Sequence, residues 1–383
     1  MEITDNLKAS IDNNLVSCGL FLDFSKAFDT VNHQILLDKL CKYGVRGGPH
    51  DWFASYLQDR KQFVQIGNDK SSLLEMTCGV PQGSTLGPLL FLIYINDIAN
   101  SSNKLSFRLF ADDANIFYTS DDINDIESVM NCEMTRVLNY CSINKLSVNM
   151  KKTNFMLITS SRKKVTPINV LNFEQKACIK YLGVYIDQHL NWKDQITHVK
   201  NMVSKNIGIL YKLRHYVSIH VLKQLYFTLI YPYLNYAVVV WGNTYPSNLN
   251  KLCTLQNKCI RCMFFTDSRE SSQVFYKLLD ILKFDNIVKL STCVLAHKIF
   301  NKSSNIPSLF HDSLRTVSCL HKYNTRYASK GNFHRPKVRT NTGKFTFVYA
   351  ASKLWETVPT NLKRLSINNF KKRYKNHLLK CQS

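Results

Sequence analysis

The stretch Lys104–Tyr118, which reads KLSFRLFADDANIFY, decides the fold of this chain. Apolar and polar residues alternate from Leu105 to Leu109, and Ile116-Phe117-Tyr118 is a second run of residues that favour β-strands. This pattern predicts a strand, a tight turn and a returning strand. Asp112 and Asp113 fall in the turn, so the sequence places two adjacent carboxylates at the tip of an apolar hairpin.

Such a pair of carboxylates has two interpretations. The two anions repel each other and resist desolvation unless a cation neutralises them, and a divalent metal ion with oxygen ligands does this well. Asp and Asn are also common turn residues for local reasons, so Asp112 and Asp113 taken alone equally fit a solvated turn. Earlier segments of the chain decide between the two.

Length and charge narrow the class of protein. The chain has 383 residues and 45% hydrophobic content, which predicts two or three domains with apolar cores. Its net charge is +23 and its pI is about 9.5. Because aromatic residues are also plentiful, we expect a nucleic-acid partner before a membrane. The segment from His321 to Ser383 contains 15 basic residues and one acidic residue, so much of the excess lies near the C-terminus.

No secretory signal is visible at the N-terminus, and the most apolar run, Leu225–Trp241, is interrupted by Pro232 and Asn235. We therefore expect no membrane span. Twelve cysteines without a repeated pair spacing fit reduced thiols in a nuclear or cytoplasmic protein. Cys259 and Cys262 have a Cys-x-x-Cys spacing, but the zinc signature is incomplete and the segment looks helical, so we interpret both as structural.

A second carboxylate follows a predicted buried strand. Cys18–Asp23 is an apolar run that ends in Asp23, a position where sheets often build sites. The chain then turns, and the pattern from His33 to Gly44 predicts a helix with a glycine stop. Asp29, just before that helix, is best interpreted as a helix N-cap.

A glycine-rich loop comes next. After a predicted helix at Asp51–Leu57 and a predicted strand at Lys61–Ile66, Cys78–Pro88 contains three glycines and two prolines and opens the apolar helix Leu89–Ile95. Such a loop lets the backbone approach a planar or phosphorylated ligand, although it also fits an ordinary connection. Without a Walker lysine, the sequence does not support an NTPase P-loop.

Two-metal phosphoryl transfer requires carboxylates from separate segments to converge on one point, and these elements could supply them. Five segments follow one another in the order of a known set of motifs: Phe21–Asp29 (A), Gly79–Ser84 continuing to Pro88 (B), Phe110–Asp113 (C), Asn149–Thr153 (D) and Tyr181–Val184 (E). In these motifs and their order the chain resembles the reverse transcriptases of non-LTR (LINE-like) retrotransposons, most nearly the jockey type.

The resemblance implies roles for the acidic residues. Asp23 and Asp112 would hold two divalent metal ions, Mg²⁺ or Mn²⁺, while Asp113 completes the acidic cluster and the Phe24 carbonyl is available to a metal. Lys152 resembles the motif D lysine, placed to protonate the pyrophosphate. A solvated lysine beside Lys151 is the alternative interpretation, because lysine is usually exposed.

The resemblance also implies residues that contact nucleotide and primer. Phe28 resembles the steric gate that excludes a 2′-hydroxyl. Gln82 and Gly83 look like contacts for the incoming nucleotide and the template base. Leu182 and Gly183 resemble the primer grip. The implied partners are an RNA template, a DNA primer and dNTPs.

The family fold is an α+β polymerase palm, an antiparallel sheet backed by helices, followed by a helical thumb and a basic helical C-terminal region. We predict the palm with motifs A to E at residues 1–190, the thumb at 191–265 and the C-terminal region at 266–383. A pattern at Ile123–Cys141 predicts an amphipathic palm helix. Three thumb helices are predicted, the middle one broken at Pro232. They carry candidate phosphate contacts at Lys200, Lys205, Lys212, Arg214 and Lys223.

Only 22 residues precede Asp23, whereas the family has a fingers region of domain scale before motif A. We therefore expect an N-terminally truncated enzyme whose fingers are largely missing. A separate polypeptide carrying fingers or an endonuclease is a further candidate partner.

Three hypotheses stand at this point. The first is an RNA-directed DNA polymerase that performs two-metal nucleotidyl transfer onto a primer 3′-hydroxyl. The second is a catalytically silent nucleic-acid-binding remnant of a truncated element, which the basic surplus supports and the acidic triad opposes. The third is a palm polymerase that makes RNA, which Phe28 as a sugar gate opposes.

Overall fold

The structure is a computed structural model that describes residues 1–267, 269–320, 323 and 325–382. Within that part of the chain, no helix is both long enough and apolar enough to cross a membrane. The secondary structure, in chain order, is α1 (Glu2–Asp12), β1 (Val16–Leu22), α2 (His33–Lys42), α3 (Gly48–Leu57), β2 (Lys61–Gln62), β3 (Gln65–Ile66), β4 (Asp69–Lys70), β5 (Leu74–Glu75), α4 (Gly87–Ile95), β6 (Ser106–Phe110), β7 (Asp113–Ser120), α5 (Ile123–Ile143), β8 (Asn154–Ile158), β9 (Glu174–Gln175), β10 (Cys178–Tyr181), β11 (Val184–Asp187), α6 (Lys193–Leu213), α7 (Ile219–Leu229), α8 (Tyr231–Asn235), α9 (Val238–Trp241), α10 (Pro246–Met263), α11 (Gln273–Leu278), α12 (Phe284–Phe300), α13 (Arg326–Ser329), α14 (Asn341–Lys344), α15 (Phe347–Trp355), α16 (Thr360–Lys363) and α17 (Ile367–Cys381).

The chain divides into two compact units. The sheet unit is Leu15–Ala177, and the helical unit is Met1–Asn14 together with Cys178–Ser383. This division differs from the predicted boundaries, because residues 1–14 and the segment after Ala177 pack with the helical unit. The functional division into palm, thumb and C-terminal region stays a prediction.

The sheet unit is built on a five-stranded sheet in the order β6-β7-β1-β8-β9. The first four strands pair antiparallel, and β9 joins β8 in parallel. The predicted strand–turn–strand at 104–118 is confirmed as β6 and β7, and the predicted strand before Asp23 is β1. The mixed α+β fold predicted from the sequence is thus confirmed.

The central strand of this sheet is β1, which lies between β7 and β8. Six of its seven residues are buried. The predicted amphipathic helix is confirmed as α5, which buries Ile126, Met130, Met134 and Val137 against the core. The apolar helix α4 completes this core with Leu90, Phe91, Tyr94 and Ile95, all fully buried.

The predicted strand at Lys61–Ile66 is wrong as a single element. It splits into β2 and β3, which pair with β5 and β4 respectively. Between them the Val64 amide donates to the Ser71 hydroxyl at 2.9 Å, which takes that amide out of a regular ladder. Every residue of these four short strands is exposed, so no buried face enforces a continuous register.

In the helical unit, the segment that contains motif E is a hairpin, β10–β11, with Leu182 and Gly183 at its turn. Both turn residues have positive φ angles, 45° and 78°. A strand cannot continue through two such residues, which is why the segment reverses direction.

The helices of this unit follow the predicted order with one additional break. α7 ends at Leu229 and Pro232 lies in the first turn of α8, which confirms the break at that proline. A second interruption occurs at Ala237, which has a φ of 49° and gave no sequence signal. Cys259 and Cys262 are buried in α10, as expected for structural cysteines.

The N-terminal helix α1 is fastened to the C-terminal part of the helical unit. The Asp12 carboxylate accepts hydrogen bonds from the Arg339 amide at 3.1 Å and from the Thr340 amide and hydroxyl at 2.6 Å. Burial alone would raise the pKa of Asp12, but these hydrogen bonds outweigh it and lower the pKa below its ordinary value. The buried Lys8 ammonium donates to the Phe345 carbonyl at 2.7 Å. Residues more than 300 positions apart are therefore held together by directional bonds.

We predict that Asp12→Ala lowers the free energy of unfolding of the helical unit by about 2–4 kcal/mol, because the Arg339 amide and the Thr340 amide and hydroxyl lose a charged acceptor. Trp192, Trp241 and Trp355 are buried in this unit, so their fluorescence during urea unfolding reports on it. Asn13→Ala, one position along and exposed, is the control. Equal urea midpoints for the Asp12→Ala and Asn13→Ala variants would show that the hydrogen bonds of Asp12 do not stabilise the unit.

Candidate active site

The strand register brings Asp23 and Asp113 opposite each other. In the β1–β7 pair Leu22 lies opposite Ala114, so the next pair in the same antiparallel register is Asp23 with Asp113. Phe110 pairs with Asp113 across the hairpin, which leaves Ala111 and Asp112 as a two-residue turn. Ala111 has a φ of 52°. Two-residue hairpin turns of types I′ and II′ require such a positive φ at their first central residue. Three carboxylates from two segments therefore meet at one end of the sheet.

The electrostatics of Asp113 reflect this grouping. Partial burial raises the pKa of Asp113, and the neighbouring charges of Asp112 and then Asp23 raise it further. Each neighbour disfavours the ionised form because like charges repel. The three carboxylates are thus close enough to interact, and the folded chain gathers negative charge at this point.

The donor set fits a hard divalent cation in its chemistry. Carboxylate and carbonyl oxygens are the ligands that Mg²⁺ and Mn²⁺ prefer, and a cation would relieve the repulsion that raises the pKa of Asp113. Across the described residues, no three His, Cys, Asp or Glu side chains form a ready-made metal-binding group. The residues present supply oxygen ligands and an excess of negative charge, but they do not surround a metal ion on all sides.

Phe24 follows Asp23 and lies in a short bridge opposite Val148. The hydrogen bonds that flank this bridge belong to its neighbours, because Ser25 donates to the Ser147 carbonyl at 2.8 Å and Asn149 donates to the Asp23 carbonyl at 2.7 Å. In an antiparallel bridge of this kind the central residue directs its own carbonyl away from the partner segment. The Phe24 carbonyl is therefore directed away from Val148.

Lys152 lies on the loop that these bonds attach to Asp23. Its amide donates to the Asn149 carbonyl at 3.1 Å, and the Asp23 amide donates to the Thr153 hydroxyl at 3.3 Å. The backbone on both sides of Lys152 is thus fixed to the Asp23 segment, while the Lys152 residue itself is exposed.

Phe28 is held between the glycine-rich loop and α4. Its carbonyl accepts from the Val80 amide at 2.9 Å, and its ring lies 4.6 Å from the ring of Phe91, measured between centroids. Gly79, the residue before Val80, also bonds to this turn, because its amide donates to the Val31 carbonyl at 2.7 Å. The loop after Cys78 therefore lies directly on the turn that follows Asp23.

Asp29 is not a helix cap, contrary to the sequence interpretation. The side chain of Asn32 caps α2 by accepting from the Ile35 amide at 3.1 Å. Asp29 instead accepts a hydrogen bond from the Gln82 side-chain amide at 2.8 Å. Asn32 is nearer to the helix than Asp29, and asparagine is as good an N-cap residue as aspartate. The sequence could therefore have identified Asn32 as the cap and left Asp29 available for another role. Gly83, next to Gln82, is exposed with a φ of 78°.

The primer-grip candidates lie in the other unit. Leu182 and Gly183 form the tip of the β10–β11 hairpin, and the Tyr236 hydroxyl donates to the Leu182 carbonyl at 2.7 Å. Sequence reasoning missed Tyr236, because a contact 54 residues away leaves no local pattern. The other candidates all lie in the sheet unit: Asp23, Phe24, Phe28, Gln82, Gly83, Asp112, Asp113 and Lys152.

Comparison with known proteins relates part of the chain to a known family. The reverse transcriptase (RNA-dependent DNA polymerase) family matches residues 3–186, which are 184 of the 383 residues. These residues are therefore similar to a reverse transcriptase domain. Among curated relatives in Drosophila melanogaster, it is 28% identical over 284 residues to a probable RNA-directed DNA polymerase from transposon BS, covering 68% of this chain and 30% of the relative.

Two other Drosophila melanogaster relatives support a jockey-like reverse transcriptase of non-LTR type. The probable RNA-directed DNA polymerase from transposon X-element is 25% identical, covering 88% of this chain and 36% of the relative. The RNA-directed DNA polymerase from mobile element jockey is 26% identical, covering 66% and 29%. The chain thus spans about a third of the length of these relatives. A solved structure of apo telomerase from Candida tropicalis gives a TM-score of 0.40 at 12% identity, covering 81% of this chain and 56% of that one.

We predict that Gly79→Ala destabilises the reverse transcriptase domain by about 3 kcal/mol, because strain and a clash act together. Gly79 has a φ of 89°, and an added Cβ would lie 2.9 Å from the Asp29 carbonyl oxygen. Gly83→Ala is the matched control, since it has a similar φ but open space around it, and should cost only about 1–2 kcal/mol. Urea unfolding followed by circular dichroism compares the two, and equal losses would contradict the close approach.

A second prediction concerns the clustered carboxylates. Asp112→Asn should raise the melting temperature by about 1–3 °C at pH 7.5 in EDTA, because it removes a like charge beside Asp113. Since the raised pKa of Asp113 favours its protonated form, the gain should shrink as the pH falls toward 4 and Asp113 loses its charge. Thermal unfolding by circular dichroism measures both.

Asp121→Asn, an exposed carboxylate just beyond the other end of β7, is the control for Asp112→Asn. Addition of Mg²⁺ should stabilise the unsubstituted chain more than the Asp112→Asn variant. Identical behaviour of the two variants in EDTA would show that the carboxylates do not repel each other.

Proposed function

We propose that this chain is an RNA-directed DNA polymerase that joins deoxynucleotides to the 3′-hydroxyl of a DNA primer on an RNA template. The observation that carries the proposal is the register that sets Asp23 opposite Asp113, with Asp112 in the adjoining turn, inside a reverse transcriptase domain. Nucleotidyl transfer by two metal ions requires carboxylates from separate segments at one point, and this end of the sheet provides them.

In this proposal Asp23, Asp112, Asp113 and the Phe24 carbonyl hold two divalent cations, Mg²⁺ or Mn²⁺. When bound, these ions would lower the pKa of the primer hydroxyl and stabilise negative charge on the phosphate oxygens and the leaving pyrophosphate. The raised pKa of Asp113 supports the assignment, since clustered carboxylates of this kind are costly without a cation. The attachment of residues 147–149 to the Asp23 segment keeps the acidic residues in place.

The substrate side of the site would be formed by the glycine-rich loop and the turn after Asp23. Phe28, packed against Phe91 and bonded through its carbonyl to Val80, is rigid enough to exclude a 2′-hydroxyl by contact. Gln82 and Gly83 would contact the nucleotide and the template base. Asp29 would orient Gln82, because it accepts a hydrogen bond from one amide hydrogen of that side chain and leaves the amide oxygen available.

Lys152 would deliver a proton to the leaving pyrophosphate. Its exposure leaves the ammonium accessible, and the bonds that join its loop to Asp23 fix the base of the side chain. A general acid must lie within reach of the group that it protonates, and attachment to the metal-binding segment favours this.

The helical unit would bind the primer and template. It carries 33 Lys and Arg against 11 Asp and Glu, whereas the sheet unit carries 17 against 16. Lys200, Lys205 and Lys212 are exposed on α6, opposite the face that buries Val199, Val203 and Ile207. We therefore keep the division into a palm at 1–190, a thumb at 191–265 and a basic C-terminal region at 266–383 as part of this proposal, with Leu182 and Gly183 as the primer grip.

The test is extension of an oligo(dT) primer on poly(rA) by the purified chain with dTTP and either Mg²⁺ or Mn²⁺. We expect Asp23→Asn and the double variant Asp112→Asn with Asp113→Asn to lose activity by a factor of about 10³ or more, because each removes ligand charge at the reacting centre. Asp121→Asn should retain full activity, since it removes the same charge from an exposed position outside the cluster.

The other outcomes separate the remaining hypotheses. Activity that survives the double variant would refute the assignment of these carboxylates. Salt-sensitive binding of primer–template without extension would favour a silent nucleic-acid-binding remnant, which the charge of the helical unit supports. Preferential incorporation of UTP over dTTP would favour a polymerase that makes RNA and would refute the role given to Phe28.

A further inference from the structure

A cavity of about 620 Å³ lies in the C-terminal part of the helical unit, and none of its described lining residues is a candidate polymerase-site residue. Four chain segments form its walls: the C-terminal end of α12, the turn at 316–318, the loop at 328–331 and the segment 360–364. Its volume is in the range of pockets that hold a small molecule or a single nucleotide.

The chemistry of the lining is cationic. Lys330, Lys363 and Arg364 contribute three positive charges, and hydroxyl groups such as those of Ser318 and Thr360 add further donors. None of the described residues that line the cavity is acidic. Glu356, the acidic residue nearest in sequence, is outside the lining; its charge favours the protonated form of Lys363, but its carboxylate is already paired with Arg335 and bonded by the Tyr327 hydroxyl. The cavity therefore collects positive charge that no carboxylate of its lining offsets.

Hydrogen bonds from Lys363 and Trp355 hold the loop at 330–332, which forms part of the cavity. The buried Lys363 ammonium donates to the Lys330 carbonyl at 3.1 Å and to the Asn332 side chain at 2.7 Å. The Trp355 indole donates to the Gly331 carbonyl at 2.9 Å. Burial lowers the pKa of Lys363 to about 8, so the protonated form has a cost that a bound anion would reduce.

The walls are fastened to one another as well. Thr316 forms a bridge with Phe333, and the Val317 amide donates to the Asn332 carbonyl at 3.0 Å. Gly331 has a φ of 62°, and an added Cβ would lie 3.2 Å from the Phe300 ring, so the loop packs tightly on α12. The backbone that carries Lys330 is therefore held in place while its side chain extends from an exposed position.

We propose that this cavity binds a phosphate group of single-stranded nucleic acid, with Lys330 and Arg364 as its exposed cationic contacts. Three cations with hydroxyl donors suit a phosphate, and the lining also contains the aromatic residues Phe300 and Tyr323, a residue type that single-strand binding sites use. A concave site of this size admits one splayed nucleotide, whereas a regular duplex would lie across its mouth. The strongly basic character of the helical unit favours a polyanion over a free small molecule.

The test measures binding of fluorescein-labelled oligo(U)12 by fluorescence anisotropy in EDTA, where no nucleotide is added, so the result is independent of polymerase activity. The double variant Lys330→Gln with Arg364→Gln should weaken binding by about 5- to 30-fold at 0.1 M salt and reduce the slope of log K against log salt by about 1.4. Lys363 is left unchanged because its bonds support the loop.

The matched control is the double variant Lys371→Gln with Lys372→Gln, which removes the same charge from exposed positions of α17 in the same unit. Tryptophan fluorescence checks that both proteins are folded. Equal loss of affinity in the two double variants would mean a delocalised charge effect and would overturn the proposal. Recovery of binding in Lys330→Arg with Arg364→Lys would support a phosphate contact.

Two further arms identify the ligand. Inorganic phosphate should displace oligo(U)12 from the unsubstituted chain more strongly than chloride at equal ionic strength, and this difference should vanish in the Lys330→Gln, Arg364→Gln variant. Absence of the difference would overturn the phosphate site. A 12-base-pair RNA duplex should be affected less by the same variant, and an equal effect on duplex and single strand would refute the single-strand assignment.

Discussion

The antiparallel pairing of β1 with β7 is the constraint on which the candidate site depends. Because Leu22 lies opposite Ala114, the residue that follows β1 and the residue that begins β7 are both aspartates, and they face each other. A shift of one residue in this register would move Asp23 away from Asp113 and turn every buried side chain of β7 to the wrong face. The hydrophobic core thus fixes the positions of two carboxylates that repel each other.

Segments far apart in the chain then brace this pair. Residues 147–149 bond to the backbone around Asp23, and the loop after Cys78 bonds to Val31 and Phe28 on the turn that follows it. The bonds are between backbone groups, so they specify position without depending on side-chain charge. A carboxylate cluster that repels itself requires such support, since the folded protein has to offset the repulsion elsewhere.

The sequence predicted those features that have local signatures. Alternating apolar residues around Asp112 and Asp113 were enough for the hairpin, and the apolar run before Asp23 was enough for β1. The contact between Asp29 and Gln82 could not be predicted, because it depends on where a loop 53 residues away packs. The same is true of Asp12 and Arg339, which are 327 residues apart. The prediction of one strand at Lys61–Ile66 was wrong for a different reason. Both faces of this segment are exposed, so no burial enforces the alternating pattern that the sequence suggests.

Asp23 and Asp113 face each other, and we propose that they bind a divalent cation together with Asp112. Anomalous diffraction at the manganese edge, from crystals of the chain grown with primer–template and saturating Mn²⁺ and dTTP, tests this most directly. We expect anomalous density between the carboxylates of Asp23 and Asp113, and we expect it to be lost in crystals of the Asp23→Asn variant. Manganese density at other positions with none between these two carboxylates would contradict it.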